Sequence, residues 1–319
     1  MNKPLLDRRQ FGLRCAALGL SLPVLDALLA TPRSAGAADV SPGAAPPVRF
    51  PNGTSVPALG QGAWHLGQGV HPAATETQAL RTGLSLGMTL IDTSGNYGGG
   101  RSEEFIGKAI ADQRDRVFLV SKVEADEVSG DGMARACEAS LSRLNTPYLD
   151  LYLLHWPVSD SQFGDVVAGF QRLRQTGKIR AWGVSNFDRE QMEALWRVPD
   201  GNRCATNQVP YSLNSRRIER ELLPWCIRHN LPVMAYSPLG GERRSVLGDR
   251  TLAGIGAAHG CSAAAVALAW VIRGGHVIAI PESGSPAHTR ENAVALSLRL
   301  TAQDLQALDS AFPGPAGTG

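Results

Sequence analysis

The sequence predicts a (β/α)8 barrel, and three observations carry that prediction. Short apolar runs alternate with longer amphipathic segments from Val48 onward, eight times in all. The runs are nearly continuous in apolar residues, as in LDLYLL at 149–154, which is typical of parallel strands covered on both faces. The composition after Val48 shows no break that would mark a second domain. Eight strand–helix repeats over about 280 residues fit a single barrel of this kind.

The predicted elements follow one another in the order that the barrel requires. Strands are predicted at 58–62, 89–92, 117–122, 149–154, 181–185, 206–208, 233–236 and 277–280. Helical segments are predicted near 74–86, 102–111, 131–144, 162–175, 188–195, 215–229, 262–273 and 287–296. The segment 48–56, split by Asn52-Gly53, predicts a small N-terminal β-hairpin ahead of the barrel, because Asn-Gly favours a tight hairpin turn.

A doubly wound nucleotide-binding sheet is the structural alternative. That fold places the pattern G-x-G-x-x-G directly after its first strand. Gly60 and Gly62 begin such a pattern, but Ala63, Trp64 and His65 follow and the third glycine is missing. The glycines at 98–100 continue into Arg-Ser-Glu and fail the pattern as well. The barrel therefore remains the predicted fold.

The first 37 residues resemble a twin-arginine export signal. Arg8-Arg9 precedes a largely apolar stretch at 15–30, and Ala35-x-Ala37 fits a signal-peptidase site. A membrane anchor or a buried N-terminal helix is the alternative, although Pro23 interrupts the stretch. The prediction is a signal peptide at 1–37, a linker at 38–46, recognition by the twin-arginine export machinery, and a folded protein exported to the periplasm without a stable membrane anchor.

Charge and cysteine content exclude several other classes of function. The predicted signal holds five of the 31 basic and two of the 29 acidic residues, so the remainder has 26 basic and 27 acidic side chains. This near balance of basic and acidic side chains gives no indication of a nucleic-acid partner. The five cysteines form no CxxC pair, and the seven histidines show no metal-ligand spacing, so no metal site is predicted. A monomer is the default expectation.

Four polar residues at predicted strand ends form a set suited to acid–base chemistry. They are Asp92, Tyr97, Lys122 and His155, and active sites of this fold lie where the carboxyl ends of the strands meet. A phenol has a pKa of about 10, and a nearby ammonium held by a carboxylate would lower it. Taken singly, each residue has a structural explanation, such as a turn cap or a core histidine. Together they predict proton transfer at an oxygen bonded to carbon.

The sequence resembles the aldo-keto reductases over residues 47–312, followed by a tail at 313–319. The matching stretches are VRFPNGTSVPALGQGAW, GMTLIDTSGNYGGGRSEEFIGKAI, VFLVSKV, LDLYLLHWP, GKIRAWGVSNF, NQVPYSLNSRRIERELLPWC, PVMAYSPLG and IPESGSPAHTREN. The resemblance implies an enzyme that reduces aldehydes or ketones to alcohols with NADP(H), or with NAD(H). It also implies that Tyr97 is the general acid, that Lys122 paired with Asp92 lowers its pKa, and that His155 orients the carbonyl.

The resemblance further implies where the cofactor and substrate bind. The carboxamide would bind Ser185, Asn186 and Gln208, and Tyr236 would stack on the nicotinamide. Pyrophosphate and adenosine would contact Ser237, Leu239, Glu282, Ser283, His288, Glu291 and Asn292, and Trp64 and Trp156 would wall the substrate pocket.

Two departures from the family pattern and two alternative functions stay open. Glu282 stands where the family often has Lys, and His288 where it often has Arg, so we expect a weaker preference for NADPH over NADH. The short tail implies an open pocket for small carbonyls or dicarbonyls. A redox-silent regulatory module that binds the cofactor is the alternative function, and a metal-dependent barrel hydrolase is the other.

Overall fold

The computed structural model describes residues 45–241 and 245–315. The predicted signal at 1–37, most of the predicted linker and the last four residues of the tail lie outside this part of the chain. The described strands are β1 Val48–Arg49, β2 Ser55–Val56, β3 Gln61–Gly62, β4 Leu90–Asp92, β5 Phe118–Val123, β6 Leu149–Leu154, β7 Ile179–Ser185, β8 Asn207–Pro210, β9 Val233–Tyr236 and β10 Val277–Ala279.

Strands β3 to β10 form a parallel barrel in chain order. Each strand pairs with the next in the sequence, and all seven pairings are parallel. Parallel bridges from Leu59 to Ala279 and from Gly62 to Glu282 join the segment around β3 to the segment around β10. The backbone N–H of Gly60 donates to the carbonyl of Ala279 at 2.8 Å, which closes the ring. The predicted fold class is confirmed.

The apolar runs form strands because the barrel covers them on both sides. All six residues of β6 are buried, and Leu151, Tyr152 and Leu153 have no exposed surface. A strand of this kind has no solvent face, so its sequence does not alternate between apolar and polar residues. The N-terminal hairpin is confirmed too, with β1 and β2 antiparallel and Gly53 at φ 88° in the turn.

Ten α-helices cover the outside of the barrel in the described residues. They are α1 Ala73–Ser85, α2 Arg101–Ala109, α3 Gly132–Leu144, α4 Phe163–Gln175, α5 Arg189–Arg197, α6 Leu222–Arg228, α7 Arg250–His259, α8 Ala263–Ile272, α9 Pro286–Ala293 and α10 Ala302–Ala311. The sequence reasoning missed α7 and α10. Both carried local signals, since Asp249 caps α7 and Thr301 forms a capping box with Asp304 at α10.

Helix α8 is apolar on all sides because it is enclosed by the protein. Nine of its residues, from Ala264 to Ile272, are buried. In the part of the chain that the structure describes, no single helix is long and apolar enough to cross a membrane. The pair α7 and α8 reaches the required length and composition together, but it is bent by 92°.

Candidate active site

The carboxyl ends of the barrel strands open into one cavity of about 620 Å³. The strand ends and the turns after them supply most of its lining. Of the residues predicted for the site, the following line it: Trp64, Asp92, Tyr97, His155, Trp156, Ser185, Asn186, Gln208, Tyr236, Ser237, Leu239 and Glu282. The sequence therefore located this cavity through the rule that polar residues at strand ends converge.

Lys122 lies beneath the cavity floor and holds three oxygen atoms together. Its Nζ donates to Asp92 Oδ2 at 2.7 Å, to the carbonyl of Thr93 at 2.8 Å and to the hydroxyl of Tyr97 at 3.0 Å. The Lys122 side chain has no exposed surface. The other oxygen of Asp92, Oδ1, accepts from Gln208 Nε2 at 2.7 Å. The ammonium and the carboxylate are thus fully engaged below the phenol.

Burial and charge act in opposite directions on the Tyr97 phenol. Burial raises its pKa above the ordinary value of about 10, Lys122 opposes this, and Asp92 and Glu124 reinforce it, so the net pKa is raised. Lys122 lowers the pKa of Tyr97, as the sequence predicts, but desolvation of the phenol raises it by more. Tyr97 therefore carries its proton at neutral pH.

The pKa of Lys122 itself is raised. Burial lowers it, but the charges of Asp92 and Tyr97 and the hydrogen bonds to both reverse that effect. The ammonium therefore stays charged, and it can stabilise a phenolate once Tyr97 has given up its proton.

His155 follows β6 directly and faces Tyr97 across the floor of the cavity. The two rings meet edge to face with their centroids 5.9 Å apart. The His155 Nδ1 lies 2.5 Å from Glu124 Oε1 and 3.4 Å from the hydroxyl of Ser94. The sequence reasoning missed Glu124, although its position directly after β5 carries the same strand-end signal as Asp92 and His155.

A chain of amide and hydroxyl groups lies along the opposite wall. Asn186 Nδ2 donates to the carbonyl of His155 at 3.0 Å and to Ser185 Oγ at 3.1 Å. The Tyr236 hydroxyl donates to Asn186 Oδ1 at 2.9 Å. Asn186 has φ 65°, a left-handed backbone that Asn adopts more readily than most residues, and Ser237 has φ 48°, which costs about 1–2 kcal/mol for a residue of its kind. Such strain at Ser237, directly after β9, is typical of residues held for binding.

This wall has the chemistry that a nicotinamide requires. A carboxamide both donates and accepts hydrogen bonds, and Ser185, Asn186 and Gln208 offer hydroxyl and amide groups side by side. The half-buried ring of Tyr236 lies next to them as a flat apolar surface. The residues present therefore fit the ring end of the cofactor.

The segment after β10 divides into a part at the cavity and a part outside its lining. Glu282 lines the cavity, and its carboxylate accepts from the backbone N–H of His65 at 3.0 Å and lies 3.0 Å from His65 Nδ1. Ser283, His288, Glu291 and Asn292 do not line the cavity. His288 and Glu291 are exposed on α9, whereas Asn292 is buried. Their predicted contacts with adenosine stay a prediction.

Two tryptophans stand at the rim. Trp64 is 56% exposed and Trp156 is 50% exposed, and both line the cavity. His65, which the sequence reasoning did not select for the site, lies beside Trp64 with the two rings stacked 4.6 Å apart. Within the described residues, no group of three or more His, Cys, Asp or Glu side chains is arranged to hold a metal ion.

Comparison with known proteins gives consistent matches over the barrel. The model of the aldo/keto reductase family matches residues 58–312. Methylglyoxal reductase YeaE of Escherichia coli (strain K12) is 49% identical over 273 residues, which are 85% of this chain and 96% of that protein. Glyoxal reductase of Bacillus subtilis (strain 168) is 31% identical over 266 residues, 82% of this chain and 90% of that protein.

Solved structures agree with these matches. A crystal structure of an aldo/keto reductase from Klebsiella pneumoniae in complex with NADP and acetate has a TM-score of 0.82 and 46% sequence identity. The match covers 86% of this chain and 97% of that one. The chain therefore belongs to the aldo/keto reductase family, and its reaction is the NAD(P)H-dependent reduction of an aldehyde or ketone to an alcohol.

Proposed function

We propose that this enzyme reduces small α-dicarbonyl compounds, such as methylglyoxal, and that Tyr97 is the proton donor. The observation that carries the assignment of Tyr97 is its hydroxyl, which lies 3.0 Å from the Lys122 ammonium and borders the cavity. The relatives named methylglyoxal reductase and glyoxal reductase support the substrate class.

The proposed roles follow from the protonation states and contacts of the residues. The reduced nicotinamide, when bound, supplies the hydride to the carbonyl carbon. Tyr97 donates its phenolic proton to the carbonyl oxygen, and the Lys122 ammonium stabilises the phenolate that remains. Asp92 keeps Lys122 charged and in place. His155 orients the carbonyl oxygen by a hydrogen bond, while Ser185, Asn186 and Gln208 hold the carboxamide against Tyr236.

The shape of the cavity supports a small substrate. Its rim consists of the exposed Trp64 and Trp156, and none of the described residues between 300 and 315 contributes to the lining. Two of these residues are bound by Arg216, which does not line the cavity. Its guanidinium donates to Asp309 Oδ1 and to the carbonyl of Phe312, each at 2.7 Å. An open site of this kind suits small carbonyls that need few specific contacts.

The redox-silent alternative finds no support in the site. Such a module needs the cofactor-binding wall but not the buried ammonium under a phenol. Here Asp92, Tyr97, Lys122 and His155 surround one end of the cavity with hydrogen-bonded geometry. A buried charge pair is expensive to maintain, which favours a catalytic reason for it.

The proton-donor role predicts that Tyr97→Phe abolishes turnover without affecting cofactor binding. We expect kcat/KM for methylglyoxal with NADPH to fall by about 100- to 10,000-fold, because the hydroxyl acts in proton transfer. The Kd for NADPH, measured by quenching of protein fluorescence, should change little. A variant that kept most of its turnover would rule out Tyr97 as the acid, and a wild-type enzyme that ignored methylglyoxal but reduced bulky ketones would contradict the substrate proposal.

Glu282 supports a further proposal, a weakened preference for NADPH over NADH. The extra phosphate of NADPH carries nearly two negative charges. At roughly 5 Å and an effective dielectric constant of about 20, one carboxylate opposes each charge by about 3 kcal/mol before solvent screening. Glu282 is held at the cavity by His65, and a protonated His288 on α9 would offset part of the repulsion.

This proposal predicts that Glu282→Lys improves the affinity for NADPH at least several-fold and leaves the affinity for NADH almost unchanged. Glu282→Gln is the matched control, because it removes the charge and keeps a group that can accept from the His65 N–H. Its NADPH affinity should lie between those of the wild type and the Lys variant. An unchanged Kd for NADPH in Glu282→Lys would mean that the carboxylate lies away from the phosphate.

We also propose that the enzyme is exported to the periplasm by the twin-arginine machinery, with its cofactor already bound. The Arg8-Arg9 pair, the apolar stretch after it and Ala35-x-Ala37 support this, and all precede residue 58, where the family match begins. Replacing Arg8 and Arg9 by Lys should retain the precursor in the cytoplasm. Cell fractionation decides the point: unchanged export of the double variant would contradict this route.

A further inference from the structure

Neighbouring residues hold both the backbone and the ring of His155, and one of them is the carboxylate of Glu124. Asn186 Nδ2 donates to the backbone carbonyl of His155 at 3.0 Å, and Trp156 stacks on the ring with centroids 5.9 Å apart. Nδ1 faces Glu124 at 2.5 Å and Ser94 at 3.4 Å. His155 is only 8% exposed, so its contact with the Glu124 carboxylate is shielded from much of the solvent.

Glu124 is itself held in place. It precedes a short 3-10 turn, Ala125–Glu127, and forms a reciprocal capping box with Glu127. The Glu124 side chain accepts from the backbone N–H of Glu127, and the Glu127 carboxylate accepts from the backbone N–H of Glu124 at 3.4 Å. The position of the carboxylate opposite His155 is therefore built into the end of β5.

This contact decides which hydrogen atoms the imidazole carries. An ionised carboxylate only accepts hydrogen bonds, so Nδ1 must bear a hydrogen. A neutral ring then has a bare Nε2, which accepts hydrogen bonds and repels the lone pairs of a carbonyl oxygen. Only the doubly protonated ring places an N–H at Nε2 while it keeps the bond from Nδ1 to Glu124.

We propose that Glu124 is a positioning residue that holds His155 as an imidazolium, with Nδ1–H bonded to Glu124 and Nε2–H directed at the substrate oxygen. This inference rests on the proposed reduction of a carbonyl. Hydride adds to the carbon, Tyr97 gives its proton to the oxygen, and His155 keeps both of its protons and stabilises the negative charge that develops there. The phenolate of Tyr97 regains a proton from solvent after the alcohol leaves.

The other groups around His155 do not supply the negative charge that would balance an imidazolium. From the turn before α2, Tyr97 faces the ring as a neutral phenol whose pKa is raised by burial. Behind it, Lys122 and Asp92 neutralise one another across β4 and β5. Directly after β7, Asn186 offers an uncharged amide, which donates to the backbone carbonyl of His155. Among the described residues that contact the His155 side chain, Glu124 is the one anion.

The proposal predicts that Glu124→Gln impairs catalysis by removing charge while it keeps the geometry, since the amide oxygen can still accept from Nδ1–H. We expect kcat/KM for methylglyoxal to fall at least about tenfold near neutral pH, with the Kd for NADPH unchanged. The loss of kcat/KM with rising pH should also begin at a lower pH than in the wild type. Asp126→Asn is the matched control, because Asp126 is exposed in the same turn.

Nitrogen-15 NMR of the histidine side chains gives a readout that does not depend on turnover, with His155→Gln to assign the signal. In the wild-type complex with NADP, both ring nitrogens of His155 should be protonated at neutral pH, and in Glu124→Gln one should be bare. A neutral His155 in the wild type, or identical spectra and pH profiles in Glu124→Gln, would overturn the proposal. If the wild type reduced no dicarbonyl, the proposed substrate would fail while the spectrum still decided the state of His155.

Discussion

A buried ammonium that needs three hydrogen-bond acceptors is the constraint on which this site depends. Lys122 has no exposed side-chain surface, and its three donors are used by Asp92, the carbonyl of Thr93 and Tyr97. Transfer of a charge out of water is tolerated only when such a set is complete. Removal of one partner of a buried pair destabilises a protein by about 3–5 kcal/mol. The positions of β4, β5 and the Tyr97 turn are thus fixed relative to one another.

The same constraint extends across the barrel and sets the chemistry. Asp92 uses its second oxygen to accept from Gln208 on β8, so the buried pair is linked to the wall that fits the nicotinamide. Tyr97 is the one partner of Lys122 that also borders the cavity. Its burial keeps the phenol protonated, and the ammonium below favours the release of that proton only when an acceptor arrives. This arrangement suits the proposed role of Tyr97, which is protonated before the reaction and whose phenolate Lys122 would stabilise afterwards.

The sequence predicted the architecture and the cavity well because both depend on local patterns. The strand at 149–154 is apolar throughout, and Asp92, Lys122 and His155 mark strand ends, so periodicity and topology locate them. The effect of Lys122 on the Tyr97 pKa has the predicted sign, but the larger effect of desolvation could not be predicted, because it depends on packing from distant segments. Glu124 was missed because the predicted strand ended at residue 122, two positions before it, whereas β5 extends to Val123. The adenosine contacts predicted for α9 stay a prediction, because they depend on side-chain directions that no spacing rule supplies.

The ionisation of Tyr97 tests this account most directly. NMR of the enzyme labelled with carbon-13 at the tyrosine phenolic carbon, with Tyr97→Phe to assign the resonance, follows that one hydroxyl as the pH rises. The account predicts that Tyr97 stays protonated up to and beyond pH of about 10, the ordinary value for tyrosine, because burial outweighs the charge of Lys122. Ionisation of Tyr97 near neutral pH would contradict it, since the phenol would then lack the proton that the reduction requires.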